Sequence, residues 1–150
     1  MRRYVLDTNV CLHIVRGSAL GKTIETHHRL TLPDAAVVIS VVTKAELLSL
    51  GLRNNWGKQK LDALEVLLRK LIIVSISDKD EDLMNAYAKI DAYTQSKLTA
   101  KPLGTSARKM GKNDLWIAAT TRVAKAELIT TDADFDLLHT TYFTVHKHKP

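Results

Sequence analysis

Asp7, Glu46, Asp114 and Asp132 are the side chains whose type and placement could do chemistry. Asp7 directly follows the β-prone run Tyr4-Val5-Leu6, and Asp132 follows Leu128-Ile129-Thr130 by two residues. Glu46 falls in the first turns of the helix expected after Val37-Val38-Ile39, and Asp114 opens the helix expected after a basic stretch. In an open parallel sheet, sites form beyond the carboxyl ends of the strands. Four carboxylates gathered there would repel and raise one another's pKa unless a cation intervened. Oxygen-only donors favour a hard ion, Mg²⁺ or Mn²⁺, over zinc. Such a site suits hydrolysis of a phosphodiester. The ion polarises a phosphoryl oxygen and activates a water for in-line attack, and a second ion about 3.5–4 Å away could steady the leaving oxygen.

Each acid also has a purely structural reading. Asp7 could cap the following helix, and Thr43-x-x-Glu46 has capping-box spacing. Asn113-Asp114 is a good helix start, and Asp132, Asp134 and Asp136 could be turn and surface residues. Capping does not explain why four acids should converge at strand ends.

The elements that must position these acids follow from periodicity. Val37–Ile39 is a continuous apolar run and reads as a strand buried on both faces; Ile72–Ile76 is strand-like, and Leu128–Thr130 reads as a further strand. Helical spacing covers Val10–Val15, Leu20–Leu30, Val42–Leu52, Leu61–Leu71, Leu83–Tyr93 and Leu115–Ala126. Asp134–Leu138 reads as a short helix and Tyr142–Val145 as a final edge strand. Strands alternating with helices predict an α/β protein, a three-layer α/β/α sandwich with a mostly parallel central sheet. With 150 residues, no repeat and no linker, a single domain over 1–150 is expected.

Composition narrows the classes. Lys and Arg total 22 against 16 Asp and Glu, a net charge of +6, which suits a polyanionic partner. The segment Lys97–Lys112 holds five basic residues and no acid, with Pro102, Gly104 and Gly111, and reads as a loop. Its Lys101, Arg108, Lys109 and Lys112 either hold the phosphates of a polyanionic partner beside the metal or form a solvated loop. The single cysteine, Cys11, excludes an internal disulfide and reads as a small core residue. No apolar run approaches membrane-spanning length and no secretory h-region forms, so a soluble cytoplasmic protein is expected. The pairs His27-His28 and His146-x-His148 lack zinc spacing, and the second lies in an expected mobile tail. Trp56 reads as a packing or subunit-contact residue and Trp116 as core. No Walker loop, G-x-G-x-x-G or G-x-S-x-G is present.

Four segments together resemble the PIN-domain ribonucleases, and among them the VapC-type toxins of bacterial toxin–antitoxin pairs. They are Val5-Leu6-Asp7-Thr8-Asn9, Ser40–Leu47, Asn113–Ala119 and Leu128–Phe135, in the family's order and spacing, within a match from about residue 3 to residue 145. The resemblance implies a PIN-like parallel-sheet sandwich and an endoribonuclease dependent on Mg²⁺ or Mn²⁺. Asp7, Glu46, Asp114 and Asp132 would be its metal-binding, catalytic acids. Thr8 and Thr131 would be hydroxyls that orient carboxylates or waters. RNA would be the substrate, with tRNA a candidate target, a cognate antitoxin the partner, and a homodimer the usual assembly. The leucine-rich helices around Leu47–Leu52 and Leu61–Leu68 are candidate dimer or antitoxin surfaces. Asp134 adds an acid that is either an auxiliary metal ligand or the start of the short helix, the cap being the preferred reading. Two other functions compete: an RNA-binding or regulatory module without catalysis, and a different Mg²⁺-dependent phosphohydrolase of the haloacid dehalogenase type. The latter needs a second acid two residues after the first, where this chain has Asn9.

Overall fold

A parallel strand can be followed by another only through a crossover, and a helix is the usual way to make it. The computed structural model, which describes residues 1–98 and 101–150, is built this way throughout. Strands β1 (Arg2–Leu6), β2 (Ala35–Ser40), β3 (Ile72–Val74), β4 (Glu127–Thr130) and β5 (Val145–Lys147) form one sheet in the order β3-β2-β1-β4-β5. Every pairing is parallel, with Tyr4 opposite Val37 and Leu6 opposite Ile129.

Helices α1 (Thr8–Arg16) and α2 (Ala19–His27) connect β1 to β2. Helices α3 (Val41–Arg53) and α4 (Lys58–Lys70) lead to β3, and α5 (Glu81–Thr94) and α6 (Lys112–Val123) lead to β4. Successive strand residues face opposite layers. Tyr4, Leu6, Ile39 and Ile129 pack under Val10, Ile24, Leu47 and Leu64 of α1–α4. Val5, Val38 and Leu128 pack under Ile90, Leu115 and Ile117 of α5 and α6. The sheet is thus the middle layer of an α/β/α sandwich.

The expected elements are present, and the differences sit at the edges. β3 stops at Val74 because its partner strand stops at Ser40, which turns to cap α3 through a hydrogen bond from the Val42 amide. The last strand is Val145–Lys147, not Tyr142–Val145: Tyr142 and Phe143 are buried in the α5/α6-side core instead of joining the ladder. His146 therefore lies in the sheet rather than in a mobile tail. The helix at Asp134–Leu138 is a 3-10 turn, Ala133–Leu138. Within the basic loop, Thr99 and Ala100 lie outside the described residues. Among the described residues, no helix is long and apolar enough to cross a membrane.

Two glycines make the tight α1–α2 corner. Gly17 closes α1 at φ 63°, in the left-handed region, and its amide bonds back to the His13 and Ile14 carbonyls. A Cβ on Gly21 would stand 2.5 Å from the His13 carbonyl oxygen, so α2 approaches α1 as closely as only glycine permits. Gly21→Ala is expected to destabilise the protein by about 1–3 kcal/mol, lowering Tm by about 2–4 °C for each kcal/mol. An unchanged melting curve would show that the corner yields without cost.

Candidate active site

The carboxyl edge of the sheet gathers the acids. Asp7 leaves β1 in extended conformation and caps α1, its Oδ1 accepting the Thr8 amide at 2.7 Å. Its Oδ2 accepts the Thr130 hydroxyl, also at 2.7 Å. The side chain is thus oriented by two donors on different strand ends, and it is 4 % exposed. Each carboxylate oxygen keeps a further lone pair for a ligand. Thr130 is fully buried and accepts the Asp132 amide at 2.9 Å, so one hydroxyl sets both acids.

Glu46 stands on α3, where its Oε1 accepts the Thr8 hydroxyl at 2.8 Å; the Thr43 hydroxyl lies 3.2 Å from that of Thr8. Ser40, not Thr43, caps α3, so the capping-box reading of Glu46 does not hold. Asp114 falls in the first turn of α6, which starts at Lys112. A concavity of about 220 Å³ has Asp7, Glu46, Asp114 and Asp132 in its wall, together with Thr8, Asn9 and Arg53.

The electrostatics follow from this crowding. Burial pushes the Asp7 carboxyl above its ordinary value, and Asp132 and Glu46 add to the rise. Asp114 is pushed up to about 7, by burial first and then by Asp7, Asp132, Asp134 and Glu46. Four acids therefore act on one another across the concavity, and without a cation Asp114 resists ionisation. Carboxylate oxygens of Asp114, Asp132 and Asp134 come within 4.8 Å of one another. This all-oxygen, net-negative donor set fits a hard divalent cation such as Mg²⁺ or Mn²⁺ and offers no nitrogen or sulfur to a softer one.

Several expected residues take different places. Thr131 forms no side-chain hydrogen bond among the described residues; its neighbour Thr130 is the hydroxyl aimed at Asp7. Alternation along a strand explains the exchange, since adjacent residues point to opposite sides. Asp132, rather than Asp134, caps the 3-10 turn by accepting the Asp134 amide at 2.8 Å. Asp134 is free of that duty and pairs with Arg108 at 2.6 Å. Arg108 of the basic loop thus reaches the rim of the acid cluster, anchored by its own amide on the Thr94 carbonyl. Lys109 and Lys112 are exposed and in no ion pair among the described residues, whereas Lys101 rests its ammonium 4.5 Å from the centre of the Tyr142 ring. Arg53 was not singled out by sequence reasoning, although it lies seven residues, or two helical turns, after Glu46 on α3. That spacing puts it on the same helix face.

If the loop carries RNA phosphates, charge reversal at Arg108 and Lys109 weakens RNA binding. It also flattens the salt dependence, by about 0.7 in log–log slope for each single-strand phosphate no longer neutralised. An unchanged slope in a salt titration would remove the loop from the RNA path.

Cys11 is fully buried and its thiol is pushed well up by burial, as suits an inert core residue. Trp56 is buried against Gly51. Trp116 is half-buried, its ring centre 4.3 Å from that of Tyr87. Leu48, Leu52, Leu61 and Val66 on α3 and α4 are exposed.

The family described as PIN domain matches residues 4–139. The chain is 29% identical over 127 residues to Ribonuclease VapC1 of Haemophilus influenzae strain R2866, covering 85% of this chain and 84% of that protein. Among solved structures it is similar to VapBC-1 from nontypeable Haemophilus influenzae, at TM-score 0.70 and 26% identity over 97% of each chain. The VapBC2 structure from Rickettsia felis, bound to a DNA fragment from their promoter, matches with TM-score 0.76 and 20% identity over 97% of this chain and 98% of that one.

Proposed function

The chain belongs to the PIN domain family, and from that premise we propose that it is a metal-dependent endoribonuclease, the toxin of a toxin–antitoxin pair. The observation that carries the reading is the convergence of Asp7, Glu46, Asp114 and Asp132 on one concavity at the carboxyl edge of a parallel sheet. The relatives called ribonucleases and the toxin–antitoxin complexes among the structural neighbours support the same reading.

Asp7, Asp114 and Asp132 would hold the ion, with Glu46 beside them and Asp134 at the rim. A bound Mg²⁺ or Mn²⁺ supplies charge neutralisation at the phosphate and activation of water. The protein's own part is positioning. Thr130 and the Thr8 amide hold Asp7 by its two oxygens, and the Thr8 hydroxyl holds Glu46. None of these acids must reorganise as charge develops, which is where a preorganised site gains its rate. Arg53 is the cation lining the concavity and is placed to take an RNA phosphate; Arg108, at the rim, can exchange Asp134 for another.

The partner of the toxin is an antitoxin protein. The apolar surplus on α3 and α4 suits such a partner or a second copy of the chain, and a homodimer is the assembly we favour. Transfer RNA is the substrate class to test first. Inducible expression of wild type and Asp7→Asn, with mapping of RNA 5′ ends, tests activity, toxicity and target together. New 5′ ends and growth arrest in wild type alone support the proposal. A non-catalytic RNA-binding module would show neither, and calorimetry would find no divalent-metal binding to it.

A further inference from the structure

His28, buried where it caps α2, makes a hydrogen bond across 120 residues of chain: its Nε2 lies 2.8 Å from the Nε2 of His148. His148 directly follows β5, and its amide bonds the Thr130 carbonyl of β4 at 2.9 Å. The contact therefore ties the end of β5 to α2 as well as to the neighbouring strand. Two more imidazoles crowd it. The ring centres of His27 and His146 stand 4.7 and 4.8 Å from that of His28. From β1, the Tyr4 ring packs edge-on at 5.4 Å and the Arg2 guanidinium bonds the His28 carbonyl. Asp34 is engaged by Arg2 at 2.7 Å and Glu127 of β4 by His146 at 2.8 Å, so neither carboxylate is bonded to His28 or His148.

We propose that the His28–His148 contact is an acid-labile clasp, which holds β5 against α2 and opens when the two rings take up protons. The proton count carries the argument. In the neutral pair one Nε2–H donates to the other ring's Nε2 lone pair, and the acceptor keeps its own proton on Nδ1. A first added proton goes to the donor's free Nδ1, and the contact survives as an imidazolium donating to an imidazole. A second can go only to the lone pair that makes the contact. Two N–H groups on two cations then face each other, and the rings must part. Even the first charge is opposed, because the site is buried and its nearest charged neighbour is the Arg2 guanidinium. The clasp also bears on the acid cluster, since the carbonyl that His148 holds belongs to Thr130, whose hydroxyl orients Asp7.

The direction with pH follows. Burial, the leading cause, pushes His28 down to about 4, with His146, His148, His27 and Arg2 adding to it, and burial also lowers His148. Once β5 has left, each ring ionises near its ordinary value of about 6.5. The clasp's stability is therefore fully present above that value and is lost as pH falls towards 4. Asp114 has the opposite sign: its raised carboxyl strengthens the fold as pH falls, so it does not produce this loss. Asp34 is held low by Arg2, so its contribution is lost only below the usual aspartate range. At the start of β5, the His139 Nδ1 accepts the Val145 amide at 2.9 Å, which protonation would also remove, and Lys147 pairs with Asp136 at 2.6 Å. The His148 amide is therefore the reporter to follow, and His139 is kept in every variant.

Amide hydrogen exchange on the full chain between pH 7 and 4.5 tests the clasp and needs no nuclease activity. Protection of the His148 amide, corrected for the intrinsic exchange rate, is expected to fall by about 20-fold between pH 6 and 4.5 from His28 alone, given values of about 6.5 open and 4 closed. Val5 and Val38 amides in the centre of the sheet should keep their protection. His148→Gln is at a half-buried position, and its amide can meet the His28 Nε2 without titrating, so the fall should shrink to about threefold or less. An equal fall in the variant, no fall in wild type, or a loss shared by the whole sheet would overturn the proposal. Imidazole nitrogen shifts of wild type give a reading that needs no variant: His28 should be neutral at pH 6 and charged only as β5 loses protection. A His28 ring already charged at pH 6 with β5 fully protected would equally overturn it.

Discussion

Asp7→Asn is expected to slow RNA cleavage by about 10³-fold or more, roughly 4 kcal/mol of transition-state stabilisation, while the fold survives. Asparagine is as good a helix cap as aspartate, and its oxygen can still accept the Thr8 amide. Its amide nitrogen would face the Thr130 hydroxyl, which can turn to accept. What is lost is a negative charge at the centre of the donor set, and with it the grip on a divalent ion. The same loss relieves part of the repulsion that, after burial, raises the Asp114 carboxyl. Without added metal, the variant should therefore melt no lower than wild type. With Mg²⁺ added, the wild type should gain stability by mass action, about 2.7 kcal/mol at a hundred times the dissociation constant, and the variant should gain much less. A cleavage assay on purified protein and a melting series with and without Mg²⁺ give both readings. Wild-type cleavage by a folded Asp7→Asn protein would refute the mechanism.

Thr130→Val has the second largest expected effect, and it arises from a residue that never touches substrate. Valine matches threonine in shape, so the change removes only the hydroxyl. The Asp7 carboxylate then loses a donor and the Asp132 amide loses its acceptor, in a region with no water access at Thr130. Leaving such groups unpaired costs about 1–3 kcal/mol of stability. Because two of the four acids are no longer held in place, metal affinity or activity should also fall by about 10–100-fold. Thr131→Val is the control and should change neither by more than a small factor. Equal behaviour of the two variants would show that the positioning role assigned to Thr130 is wrong.

The helices and inner strands were legible because burial imposes a period. Val37–Ile39 is apolar throughout, and Leu128-Ile129 is apolar up to the strand end at Thr130, as strands covered on both faces must be. The edges were less legible because they are decided by neighbours. Whether Tyr142 and Phe143 join a ladder or fill the core depends on the space left by α5 and α6, not on their β propensity. Asp7, Glu46, Asp114 and Asp132 could be named as candidates because each sits at a chain position that a parallel sheet sends to the same edge. The threonine serving them was misplaced by one residue. Which of two neighbouring hydroxyls turns inward depends on the strand's exact rotation at its end. Arg53 was missed because its position relative to the acids is a property of how α3 lies across the sheet.

By itself, then, the order of residues determined which layers form and which acids stand at the carboxyl edge, since alternation and helical spacing are local. Tertiary structure alone decided which side chains touch: Thr130 on Asp7, Arg108 on Asp134, and His148 on His28 across 120 residues of chain. Pairings of that range depend on how rigid elements pack, and packing is settled only by the whole core at once.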